Sequence, residues 1–409
     1  MPAERIETLI VGGGQAGLTM SHRLKQRGLP HLVLERHRIA ERWRSERWDG
    51  LRFQFPNWSV RLPDFPFPHT DPGGFATSGE ILDYIAAYAA FVAPPIRCGV
   101  EATRLRCRDS GAGFGAETSI GPIEADNVVV ATGPYQRPRI PALLQDDAGI
   151  FQLHASRYRN PSQLPAGAVL VIGSGASGAQ IAEELLRNGR RVYLSIGGHR
   201  RMPRRYRGRD LIWWLGDMGL LQRPAEERGP HRSLPLISGA FGGNTIDFRQ
   251  FAALGITLLG RAQAARDGVI DFAPDIARRL AYGDASYTIF LDMVDAHVEQ
   301  HGLDMPQDPA ARAVLPDPPC LAEPLRRLDL AAAGVGTAIW ATGYDFDFGW
   351  IGIPVLNSRG EPVHVKGIAG VPGLYFLGLQ WLSKLNSSLL SGVGEDAADL
   401  ADHIAARSK

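Results

Sequence analysis

The sequence predicts an α/β protein of two Rossmann-like dinucleotide-binding domains, a two-dinucleotide-binding-domain plan with the second domain inserted in the first. Three observations predict it. A glycine fingerprint, Gly12-x-Gly14-x-x-Gly17, stands between an apolar, β-branched run, Ile6–Val11, and a helix-period run through Leu18 and Leu24. The same arrangement recurs about 160 residues later as Ala168–Ile172, Gly173-x-Gly175-x-x-Gly178 and Ala179–Arg187. Two short linkers, Ala131-Thr132-Gly133 and Ala341-Thr342-Gly343, each follow a strand and mirror one another.

The first unit continues with a strand over His31–Leu34 that ends in Glu35, completing a βαβ unit. Between Trp43 and Pro68 the chain is rich in Trp, Phe and Pro and reads as an ordered loop. A helix is expected over Ser78–Phe91 and a strand over Asn127–Ala131. Proline-flanked sequence from Gln136 to Pro165 reads as a crossing between domains. The second unit adds a strand over Arg191–Ser195, after which Gly197 to about Arg327 yields only short helical pieces. A strand over Ala338–Ala341, another over Leu374–Leu377 and a closing helix from Gly394 follow. The expected domains are 1–160 and 336–409 as one unit, with 161–335 between them.

The two fingerprints carry the chemistry. The first glycine allows a sharp turn and the second lets a pyrophosphate approach the backbone. The third lets the helix pack close to the strand, so that its N-terminal N–H groups face the phosphates. Glu35 is placed to accept hydrogen bonds from ribose hydroxyls. The second fingerprint lacks that acid. Its strand ends in Leu194-Ser195-Ile196, with His199-Arg200-Arg201 and Arg204-Arg205 beyond. An acid there would repel a 2′-phosphate, whereas Ser and Arg bind one, so Ser195 with Arg200 or Arg201 is the candidate clamp. The alternative is an ordinary solvated run of arginines. The site with the acid suits FAD and the inserted one suits NADPH.

Composition excludes other classes. With 44% hydrophobic residues, 21% charged residues and a net charge of +1, neither a nucleic-acid nor an acidic-membrane partner is indicated. No run of eighteen apolar residues is present and the first strand starts too early for a signal peptide. Cys98, Cys107 and Cys320 form no CxxC, so a redox dithiol or zinc ribbon is not written here and a cytoplasmic setting is expected.

Together these features resemble the class B flavoprotein monooxygenases, the family of flavin-containing, plant auxin-forming and Baeyer–Villiger monooxygenases. The resemblance spans essentially the whole chain. It includes both fingerprints, both Ala-Thr-Gly linkers, Glu41-Arg42-Trp43-Arg44, and Gly378-Leu379 through Leu389-Leu390-Ser391-Gly392-Val393-Gly394. His154 with Tyr158 is its more specific sign. The family pattern places Phe and Gly six and four residues before that histidine; this chain has Ala148 and Ile150, with Phe151 shifted. Tyr158-Arg159 stands where Baeyer–Villiger enzymes carry Trp-Pro, which favours oxygenation of N or S over ketone insertion.

The resemblance implies FAD, NADPH and O₂, a small organic substrate oxygenated at N or S (or carbon), and a 4a-hydroperoxyflavin. It implies Asn57 beside the flavin ring as the catalytic candidate. It also implies cofactor contacts at Gln15, Ala16, Arg36, Trp43, Arg44, Thr132, Gly133, Ser174, Ser177, Ala341, Thr342 and Gly343. Alternatively, Asn57 closes an Asx-type turn in a Pro-rich loop. An NADPH oxidase or electron-transfer flavoprotein that releases hydrogen peroxide is the competing function. Trp48, Trp58, Trp213, Trp214 and Trp381 are candidates to line a substrate cavity, and Asp49, Asp210 and His231 are expected at the surface. Substrate and oligomeric state stay open, a homodimer included.

Overall fold

The computed structural model describes residues 3–109, 111–144, 149–228 and 235–407; Ala148 and His231 lie outside them. Strand β1 (Glu4–Val11) buries Leu9 and Ile10 completely and leads through the first glycine turn into helix α1 (Gln15–Gln26). Strand β2 (His31–Glu35) returns parallel to β1, with Val11 opposite Leu34. Helix α2 (Ser78–Val92) starts in a capping box, where Thr77 and Glu80 satisfy each other's backbone N–H groups. Strands β3 (Ile96–Cys98) and β4 (Gly121–Val130) complete the N-terminal contribution to the central parallel ladder.

A second parallel sheet follows. It consists of β5 (Phe151–His154), β6 (Ala168–Ile172), β7 (Val192–Ser195), β8 (Thr257–Leu259) and β9 (Val335–Trp340), with helix α3 (Ala176–Arg187) between β6 and β7. Their spatial order is β5-β9-β6-β7-β8. Both faces of β6 are covered. Val169 and Val171 belong to one apolar cluster, and Leu170 and Ile172 to another, as the two-residue period of a doubly covered parallel strand demands. The chain then rejoins the first sheet with β10 (Leu374–Phe376), parallel to β4, and ends in a helix over Val393–Arg407. In sequence, therefore, all strands of the second sheet fall between those of the first.

The stretch expected to hold only short helical pieces instead contains a long helix, α4 (Ile276–His301), and the antiparallel strands Ala262–Arg266 and Val269–Phe272. The α4 pattern lacks a single apolar stripe, because its outer face carries Tyr282, Ile289 and Met293. Asp210 is not a plain surface residue either. It caps the helix Leu211–Asp217 and pairs with Arg204, which is 2% exposed.

Candidate functional site

Both glycine turns open onto one cavity of about 2350 Å³. A drug-sized ligand needs roughly 300–1,000 Å³, so there is room for more than one such molecule. The two turns are built alike. Gly12 donates to the Leu34 carbonyl at 2.7 Å and Gly173 to the Ser195 carbonyl at 3.1 Å. Ala131 N–H donates to the Val11 carbonyl and Ala341 N–H to the Ile172 carbonyl, both at 2.8 Å, so each Ala-Thr-Gly linker crosses directly over its glycine turn.

Side chains added to these glycines separate folding from binding. A Cβ on Gly12 or Gly173 would overlap the carbonyl of Ala131 or Ala341. One on Gly17 or Gly178 would overlap the carbonyl of the first glycine of its own turn. At Gly14 and Gly175 nothing lies within 4 Å. Both middle glycines are also the N-caps of α1 and α3 and supply no side-chain cap, so the first helical N–H groups are left for a ligand. A pyrophosphate fits this arrangement twice.

The remaining candidates divide. Glu35 lines the cavity, and its carboxylate accepts from Gly13 N–H at 2.7 Å and His37 N–H at 2.9 Å. Gln15, Ala16, Arg36, Trp43, Thr132, Gly133, Ser174, Ser177, Arg200, Ala341 and Gly343 also line it. Arg44 is exposed and does not; its neighbours Arg42, held by Glu46 at 2.6 Å, and Arg47, 5.1 Å from the Trp43 ring centre, do. Thr342 turns its hydroxyl to the Arg139 carbonyl.

Two parts of the expected phosphate clamp do not reach the cavity. Val11 pairs with Leu34 as Ile172 pairs with Ser195, so Ser195 matches Leu34, and Ile196 matches Glu35. One step of register turns the side chain to the other face of the sheet. The Ser195 hydroxyl accordingly donates to the Gly260 carbonyl at 2.9 Å. Arg201 is buried in a network, paired with Asp247 at 2.7 Å and Asp284 at 3.0 Å, while Arg249 pairs with Asp284 and Asp317. Arg200, in contrast, lines the cavity, as does Arg228. Asn57 is not among the cavity-lining residues. Its amide donates to the Asp71 carbonyl at 2.9 Å and its backbone N–H to Gly74, a turn-holding role.

His154, at the end of β5, is tied to the second linker. Its Nδ1 accepts from Ser156 N–H at 3.1 Å, so Nε2 carries the proton and donates to the Gly343 carbonyl at 3.0 Å. Burial lowers its pKa and keeps the ring neutral, and His31, His199 and His364 are lowered for the same reason from the ordinary 6.5. In the unfolded chain these rings regain their ordinary affinity for protons, so acid favours unfolding. Their contribution is intact above about pH 6.5 and is lost as pH falls through the lower folded values. Thermal melts should show a Tm that declines between pH 6.5 and 5; a Tm that rises over that interval contradicts the neutral-ring assignment.

Of the five tryptophans expected to line a substrate cavity, Trp48 and Trp381 line this one. Trp58 is exposed, and Trp214 is buried with its indole donating to the Tyr206 carbonyl. Trp381 has a backbone φ of 56°, and its buried indole N–H has no hydrogen-bond partner among the described residues. A positive φ at a non-glycine residue of a cavity wall is backbone strain of the kind that collects at functional sites, a signal no sequence pattern carries.

A family model described as pyridine nucleotide-disulphide oxidoreductase matches residues 9–210, which include both fingerprints. An uncharacterized CzcO-like oxidoreductase of Geobacillus kaustophilus is 34% identical over 403 residues, covering 98% of each chain. The chain belongs to the CzcO-like oxidoreductases. A probable indole-3-pyruvate monooxygenase of Arabidopsis thaliana is 34% identical over 197 residues, 46% of each chain. The flavin-containing monooxygenase of Stenotrophomonas maltophilia shares the fold, with a TM-score of 0.67 at 18% identity over 99% of this chain and 100% of that one. The resemblance to class B flavoprotein monooxygenases thus holds for this CzcO-like protein, an oxidoreductase with the mixed, parallel-sheet α/β fold of that group. Among the described residues no helix is long and apolar enough to cross a membrane.

Proposed function

We propose that this CzcO-like oxidoreductase is a monooxygenase that binds FAD at the first glycine turn and NADPH at the second. In this reading it uses O₂ to oxygenate a small organic substrate at N or S. The observation that supports it most directly is the pair of open middle glycines facing one cavity, each at an uncapped helix N-terminus. The proposed domains are 1–160 with 336–409 for FAD and 161–335 for NADPH, in a cytoplasmic protein.

A bound flavin would supply the hydride acceptance and oxygen activation that no side chain can. The chain's own contribution is placement. The α1 and α3 N-termini would hold the two pyrophosphates, Glu35 the ribose of FAD, and Arg200 the 2′-phosphate of NADPH. His154 ties the end of β5 to the Ala341–Gly343 linker through the Gly343 carbonyl. Trp48 and Trp381 keep apolar surface at the wall. Disulphide reduction is disfavoured, because none of the three free cysteines lines the cavity.

Arg200→Ala is expected to raise the Michaelis constant for NADPH about tenfold or more and leave NADH nearly unaffected, since one charge-assisted contact is worth roughly 1.5–3 kcal/mol. Arg201→Ala should instead lower the melting temperature, leaving Asp247 buried without its partner. The function itself is tested by incubating the protein with NADPH, O₂ and a panel of amines and thioethers. Oxygenated product formed with NADPH consumption supports it, whereas hydrogen peroxide as the sole product with every substrate makes the protein an oxidase.

A further inference from the structure

Helix α4 is apolar on two opposite faces. Leu280, Tyr287, Leu291, Val294 and Val298 are buried against the protein. On the outer side run Tyr282, Ala285, Ile289, Met293 and Ala296, all exposed, with Ile289 at 59%. A surface helix ordinarily gives its outer face to polar residues, and an apolar line at three- and four-residue steps is the kind that packs on another helix.

This line has a symmetry that identifies its occupant. Its steps read 3-4-4-3 from either end, centred on Ile289. Sizes complement across that centre: Tyr282 and Ala296 are equidistant from it, as are Ala285 and Met293. Two copies of α4 laid antiparallel about a two-fold axis at Ile289 would set Tyr282 on the partner's Ala296 and Met293 on the partner's Ala285. Ile289 would meet the partner's Ile289. Every large side chain meets a small one, or its own equivalent on the axis. The ends match in charge as well, since Arg278, whose side chain is 77% exposed, would lie beside the partner's Glu299, also exposed. Alongside, Arg312 pairs with Asp292 and Asp295 of α4.

We propose that the outer face of α4 is a self-association surface through which the protein forms a two-fold symmetric dimer. Such an isologous contact needs one patch complementary to itself, which this helix supplies. The inference does not depend on which cofactors bind.

Light scattering behind gel filtration tests it on the full chain at micromolar concentration. The expected mass is twice the 44.5 kDa of one chain. Ile289→Lys sets two like charges on the axis and should give the single-chain mass with an unchanged circular dichroism spectrum. Register is tested by oxidation in a Cys98→Ser, Cys107→Ser background, where Ile289→Cys should cross-link into covalent dimers and Tyr282→Cys should not. A monomeric parent protein, a dimer that survives Ile289→Lys, or equal cross-linking at both positions would overturn the proposal.

Discussion

Gly14→Val is expected to purify folded and without flavin. Nothing in the protein lies within 4 Å of a Cβ at Gly14, and its backbone (φ −84°, ψ −173°) suits any L-residue, so the fold has no reason to object. The added methyl groups would occupy the space in front of the α1 N-terminus where a pyrophosphate must sit. Losing two charge-assisted hydrogen bonds there costs about 3–6 kcal/mol, or roughly two to four decades of affinity. A cofactor held at nanomolar concentration would then wash off during purification. A folded Gly14→Val protein that keeps its yellow colour would remove FAD from the first turn.

Gly17→Ala should do the opposite, damaging the fold before the ligand. Within a helix, Ala is favoured over Gly by about 1 kcal/mol. Here the new Cβ would overlap the Gly12 carbonyl oxygen, a backbone atom pinned by the bond from Gly12 N–H to Leu34. Overpacking against side chains costs about 1–3 kcal/mol, and immobile backbone belongs at or beyond the upper end, so the steric loss wins. The expected result is a large drop in melting temperature, with Gly14→Ala as the control that melts close to the parent protein. Equal melting temperatures for the two variants would mean that α1 shifts easily away from β1.

These two glycines also show why much of the fold was readable in advance. The requirements of a strand–glycine–helix turn are local, so strand Ala168–Ile172 falls where the pattern put it and β1 and β2 differ from expectation only at their ends. What the sequence hid depends on partners far along the chain. Arg201 reads as a solvated or phosphate-binding cation until Asp247 and Asp284 fold back onto it. Ser195 faces the other side of the sheet because of one step in register, which strand propensity does not encode. Asn57 holds a loop through Asp71 and Gly74. Helix α4 is hidden in the sequence because its second apolar face blurs the periodicity that marks a surface helix.

In the proposed reaction, electrons pass from NADPH at the second turn to FAD at the first, across the shared cavity. Anaerobic addition of NADPH to the purified yellow protein tests it most directly. One equivalent of NADPH should bleach the flavin absorbance, and Arg200→Ala should need a higher NADPH concentration to reach the same rate. A colourless protein, or a yellow one whose spectrum NADPH leaves unchanged, would contradict it.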